Sequence, residues 1–106
     1  LAFLEGCWVS EPFQHSPDQR PGVSTYCFDR SGRGTLTFRR DARSVCSAPA
    51  TARREGNRLH IEDRDTTCSD GRRWWQDVLS CENRGQVAVC SGTSHEAAWD
   101  SVLRRR

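Results

Sequence analysis

Hydrophobic and polar residues alternate with a period of two in several short stretches of this chain. In Thr35-Leu36-Thr37-Phe38-Arg39, Leu36 and Phe38 share one face. Leu59 and Ile61 do the same within 58–62, and Val87 and Val89 within 86–89. Such alternation marks antiparallel strands with one buried and one wet face. Turn signals recur between them at Ser31-Gly32-Arg33-Gly34, Asp41-Ala42-Arg43, Glu55-Gly56-Asn57, Ser69-Asp70-Gly71 and Asn83-Arg84-Gly85, rich in residues that tolerate tight reversals. The pattern predicts strands over about 5–10, 23–29, 34–40, 44–53, 58–63, 73–82 and 86–91. The later connections are hairpin-length, so sequence neighbours should pair. The expected fold is all-β: an antiparallel meander of seven or eight short strands, closed or nearly closed into a small barrel.

Two stretches depart from the pattern. Residues 11–22 carry three of the four prolines and cannot form a central strand, so they are expected to be a long loop. In the C-terminal segment 94–106, Ala98, Trp99 and Val102 recur at helical spacing behind Ser94, and a short helix and a last strand both fit. The fourth strand places Cys46, Ala48, Ala50 and Ala52 on one face around Pro49. Small inward side chains there would leave room for Trp8, Trp74 or Trp75, which favours complementary packing over a ligand cavity.

The 106 residues make room for one domain over 1–106, and with 35% hydrophobic positions its core is small. Cross-links would offset that. Cys7, Cys27, Cys46, Cys68, Cys81 and Cys90 lie 9 to 22 positions apart, without the close Cys-x-x-Cys pairs that zinc modules use. An even set of cysteines in a short chain points to disulfides and an oxidising compartment, secreted or periplasmic. Of the 15 possible pairings, hairpin geometry selects three bridges. Cys46 and Cys68 are near-symmetric about Gly56-Asn57. Cys81 and Cys90 flank Gly85 in a diagonal arrangement. Cys7 and Cys27 then close the proline-rich loop. Cys27–Cys46 is disfavoured, because both are expected opposite Phe38, on either side of one strand and about 10 Å apart.

Charge removes one class of function. All 16 basic residues are arginine, mixed with 14 carboxylates for a net +2, and nucleic-acid binders gather positive charge on one face instead. The lysine-free, Arg- and Ala-rich composition fits a high-GC bacterial genome. No apolar run approaches the roughly 20 residues of a membrane span. The opening Leu1-Ala2-Phe3-Leu4 is too short for a signal peptide and fits a mature form or a domain of a longer protein.

Gly6-Cys7-Trp8 resembles the Gly-x-Trp that opens the first strand of lipocalins and related calycin barrels. There the Trp closes one end of the barrel and a C-terminal arginine packs across its ring. The resemblance implies that barrel architecture here, with Trp8 and Arg104, from the run Arg104-Arg105-Arg106, in the two structural roles. Tyr26-Cys27-Phe28-Asp29 and Cys68-Ser69-Asp70-Gly71 are also similar to domains of bacterial envelope or virulence-associated proteins.

Catalytic chemistry is harder to find. There is no Gly-x-Ser-x-Gly elbow, and a full set of disulfides would leave no thiol nucleophile. Glu62, Asp63, Asp65 and Asp70 gather within nine positions, but their spacing is not that of an EF-hand loop, and a solvated acidic turn is expected. His60 alternates outward from Leu59 and Ile61 and should be exposed. No metal and no cofactor is expected. Trp74-Trp75 is the informative feature, because adjacent strand residues face opposite ways and only one indole can be core. An exposed tryptophan beside Arg72 and Arg73 has hot-spot composition and could stack on a sugar ring. A packing role under the C-terminal segment with Trp99 competes with that. The residues lead to a non-enzymatic binding module for a protein or envelope polymer, with Trp74, Trp75, Arg72 and Arg73 as its candidate site. A lipocalin-like carrier of a small apolar ligand and a hydrolase with an unrecognised site are the alternatives.

Overall fold

The computed structural model describes residues 5–14, 20–95 and 97–106. The opening Leu1–Leu4, the middle of the proline-rich loop (15–19) and Glu96 lie outside them. Ten strands form: β1 (Gly6–Ser10), β2 (Val23–Phe28), β3 (Arg33–Asp41), β4 (Ser44–Glu55), β5 (Arg58–Asp63), β6 (Thr66–Thr67), β7 (Arg73–Trp74), β8 (Asp77–Asn83), β9 (Val87–Ser94) and β10 (Ala97–Arg105). Eight close into an antiparallel barrel in the order β1-β10-β9-β8-β5-β4-β3-β2, while β6 and β7 pair separately. The described residues hold no helix, and hence none long and apolar enough to cross a membrane.

The expected meander is present, with one open choice decided and two changes. In the C-terminal segment Ala97–Arg105 is strand β10, the second of its two expected readings, because closure needs a partner for both β9 and β1. The expected strand 73–82 is broken. Arg73–Trp74 pairs with Thr66–Thr67, and the barrel resumes only at Asp77. Between them the backbone N–H groups of Gln76 and Asp77 donate to the carboxylates of Asp65 and Asp63 (2.7 and 2.8 Å), which diverts the chain. In β9, Val87 and Val89 do share a face, but it is the outer one, and Ala88 and Cys90 point inward.

Large side chains fill the interior. Trp8, Tyr26, Leu36, Phe38, Ile61 and Leu79 are almost wholly buried. The Cys46, Ala48, Ala50 and Ala52 face also turns inward, and Cys46, Ala50 and Ala52 join the same core as Trp8 and Trp74, so these small residues serve packing. Pro49 sits one residue beyond the last β4–β5 pair, Ala50–Asp63, where no β5 residue needs its missing N–H.

Trp8 is 1% exposed, and an arginine does cross its ring, but it is Arg105, with the guanidinium 4.6 Å from the ring centroid. Arg104, expected in that role, faces outward and pairs with Glu11 at 3.3 Å. Strand alternation is the reason: Leu103 is buried, so Arg105 shares its inward face and Arg104 cannot.

The bridges are Cys7–Cys27, Cys46–Cys68 and Cys81–Cys90, with Cα atoms 4.0, 4.1 and 4.0 Å apart. Two details differ from expectation. Cys81 and Cys90 are directly opposed rather than diagonal, and Cys27 pairs with Thr35, leaving Ser24 and Cys46 opposite Phe38. Loops of 9 to 22 residues give about 3 kcal/mol per bridge in the chain-entropy model. Three such terms rival the whole stability of a small domain. Reduction should therefore unfold the barrel at 25 °C, read as loss of near-ultraviolet circular dichroism. A native spectrum after complete reduction would show that packing alone suffices.

Candidate functional site

Neighbouring antiparallel strands bring the end of β1, the start of β2, the end of β5, the start of β8 and the β9–β10 turn to one mouth of the barrel. The long connections 11–22 and 64–76 lie there, while the other mouth is joined by short turns. Phe13 reaches into the first mouth and packs on Phe38 (5.1 Å between centroids), which meets Trp74 at 5.0 Å.

Beneath this aromatic layer sits Asp63, 0% exposed. It shares parity with Leu59 and Ile61 and therefore points inward, so it is not part of a solvated acidic turn. Its carboxylate accepts three hydrogen bonds, from the Trp74 indole N–H (3.2 Å), the Tyr26 hydroxyl (3.0 Å) and the Asp77 backbone N–H (2.8 Å). Burial pushes its carboxyl up to about 6, against the pull of those donors. Asp77 is also buried. Burial first, and then the Asp63 charge, push it up to about 7, opposed by a hydrogen bond with Ser94. Burial and the two carboxylates together raise the Tyr26 phenol. The other acids of the cluster disperse. Asp65 caps Gln76 and pairs with Arg73 (3.5 Å), and Asp70 accepts from the Ser44 hydroxyl (2.9 Å). Glu62 lies 3.4 Å from His60. His60, expected to be exposed, is half-buried between Glu62 and Glu55.

This anchorage separates the two tryptophans. Trp74 is 4% exposed and internal, while Trp75 is 46% exposed, so of the pair only Trp75 can meet a partner. Its ring stacks on the His95 imidazole, with centroids 4.7 Å apart and planes 16° from parallel. The Arg73 guanidinium lies 5.5 Å from its centroid, in range of a cation–π contact. Arg72 is held instead toward Asp70 (3.9 Å). The structure thus gathers Trp75 and Arg73, leaves Arg72 at the adjoining turn and removes Trp74. His95 was missed by sequence reasoning. It sits in the β9–β10 turn at φ 52°, a left-handed conformation that costs a non-glycine residue about 1 kcal/mol. Trp99, expected to cover this region, is half-buried and lies across Gly92, where a Cβ would strike its ring.

The acid pair makes stability depend on pH. Unfolded aspartates lose their protons near 3.8, and the folded pair only at about 6 and 7. Between these limits the native pair binds more protons than the same groups in the unfolded chain, so the pair's contribution to stability is greatest below pH 4 and falls as pH rises to about 7. Asp77→Asn should remove the upper part of that fall and raise stability at pH 8 by about 2 kcal/mol, measured by urea unfolding at pH 5 and pH 8. A parallel loss at both pH values would show that ionisation of Asp77 is not what costs stability. Against family models, curated proteins and solved structures, the chain finds no match.

Proposed function

We propose that this chain is a non-enzymatic binding module, working secreted or in a periplasm, that grips a protein or an envelope polymer through the barrel mouth presenting Trp75. One observation carries the reading. Among the described residues Trp75 is the large apolar side chain left exposed, and it stands on a buried hydrogen-bonded anchor rather than on a loose loop. A pre-positioned indole loses little entropy on binding and offers a broad apolar face beside a cation, the composition of interface hot spots.

Three bonded disulfides with no free cysteine among the described residues support an oxidising compartment. The barrel and the Trp8–Arg105 contact support likeness to calycin barrels in architecture only. A small apolar ligand carried inside would need the space that Trp8, Tyr26, Phe38 and Trp74 fill. Asp63 is sealed by Trp74 and Tyr26, and Asp77 beside it is buried, which favours binding over hydrolysis.

Capture from a bacterial envelope extract on the immobilised, oxidised protein identifies the partner, and titration of that partner then tests the site. Trp75→Ala should weaken binding by about 2 kcal/mol or more, roughly thirtyfold, with the melting temperature unchanged. Undiminished affinity, or loss of the fold with no separable binding defect, would return Trp75 to a packing role.

A further inference from the structure

The wall of the barrel is incomplete along β10. Strand β9 pairs with Ala97–Arg104, whereas β1 pairs only with Leu103–Arg105. Past Ser10 the chain leaves β10. Pro12 has no N–H to offer, and Phe13 exchanges two backbone hydrogen bonds with Gly22 (2.9 Å each), on the β2 side. Among the described residues, Ala97–Val102 therefore has a strand on one side only. Every second residue there turns its N–H and C=O toward the open side.

Natural edges of this kind are guarded by lysine, proline, a bulge or charges. Ala97-Ala98-Trp99-Asp100-Ser101-Val102 contains no basic residue, although the chain has 16 arginines, and no proline. Its single charge is Asp100. Ala97, Ala98 and Asp100 are exposed. Beside the edge, the outer face of β8–β9–β10 forms a shallow groove of about 450 Å³. Two cross-strand rows line it, Val78–Thr93–Ala98 and Ser80–Ser91–Asp100. Asp100 stands at the β10 side of the groove, and the Arg58 guanidinium, donating to Ser80 (2.7 and 3.0 Å), stands at the β8 side.

We propose that the free edge of β10 accepts an extended peptide segment of a partner protein as an added strand, with a basic side chain of that segment placed over Asp100. A row of main-chain groups with no strand partner among the described residues fits an extended backbone, which is how strand addition gains affinity, while the flanking groove selects side chains. A second copy of the chain fits poorly. Two-fold pairing of β10 sets each central residue opposite itself, which in one register opposes two Asp100 carboxylates. In any register it seats two bodies 22–23 Å across on the same side of a sheet whose strands are only about 4.8 Å apart. A lone extended strand meets neither obstacle. The inference is independent of Trp75.

The test is amide hydrogen exchange by NMR on the oxidised protein, with three synthetic hexapeptides of alternating Thr and Val. One carries a central Arg, one a Glu at the same place, and one a Pro. The Arg peptide should bind saturably and slow exchange of alternate amides within Ala97–Val102 by about tenfold or more. The Glu peptide should bind about fivefold more weakly, and the Pro peptide should give no protection. Asp100→Lys, an exposed change, should reverse the Arg/Glu preference, and Trp75→Ala should leave peptide binding unchanged. The proposal is overturned if no peptide protects these amides or if they are already protected in the free protein. A doubled molecular mass with the edge protected, or equal binding of all three peptides, would overturn it as well.

Discussion

A buried carboxylate organises the working end of this barrel. Isolated, a charge in that position would cost several kcal/mol, and Asp63 is tolerated because three donors converge on it from β2, β7 and β8. Each bond to a charged acceptor contributes about 1.5–3 kcal/mol, comparable with the cost it offsets. The same bonds fix three things together: the break between β7 and β8, the inward placement of Trp74 and the outward placement of Trp75. Removing the carboxylate would strand the Tyr26 hydroxyl and the Trp74 N–H inside the core, so the network holds only as a whole.

Much of the fold can be read from alternation alone, and the misplaced residues show where that reading should have been carried further. Leu59 and Ile61 already set the inward parity of β5, and two more positions bring in Asp63; counting acids by proximity hides this. Leu103 sets the parity that selects Arg105 over Arg104 beneath Trp8. Trp74 and Leu79 are both inward at opposite parity, which no unbroken strand allows, but the interruption near Gln76 was not legible, because Trp75 shares the parity of Leu79 and fits an unbroken strand equally well. The stacking of His95 on Trp75 was not legible. It depends on two turns far apart in sequence meeting at one barrel mouth, and no local pattern encodes that. The C-terminal segment was ambiguous because Trp99 and Val102 fit helical spacing as well as strand spacing, and barrel closure decides between them.

Closure is also where the chain has least to spare. β1 has five residues and meets β10 over only three pairs, too little ladder to hold a barrel shut. Two features compensate there. Cys7–Cys27 ties β1 to β2 directly across the ladder, and Arg105 spans Trp8 while donating to the Glu5 carbonyl (3.0 Å). The other two bridges are buried, Cys46–Cys68 fastening the 64–76 connection to β4 and Cys81–Cys90 joining β8 to β9. Cys7–Cys27 and Cys46–Cys68 thus sit where hydrogen-bonded pairing is short or interrupted, while Cys81–Cys90 crosses the continuous β8–β9 ladder.

The two mouths of the barrel consequently differ in kind. At the Trp8 end the turns are short and the ladder between neighbours runs nearly to its limit. At the other end β1 stops early, β8 starts late, and a small hairpin fills the difference. Irregular backbone is expensive inside a barrel, since every diverted N–H must find another acceptor; here Asp63 and Asp65 serve as those acceptors for Asp77 and Gln76. An edge of β10 with no second strand among the described residues and an exposed indole both lie at this end. Where sequence and structure spend stability without packing return, a binding surface is the physical expectation. The regular mouth serves as the rigid base that makes an irregular one affordable.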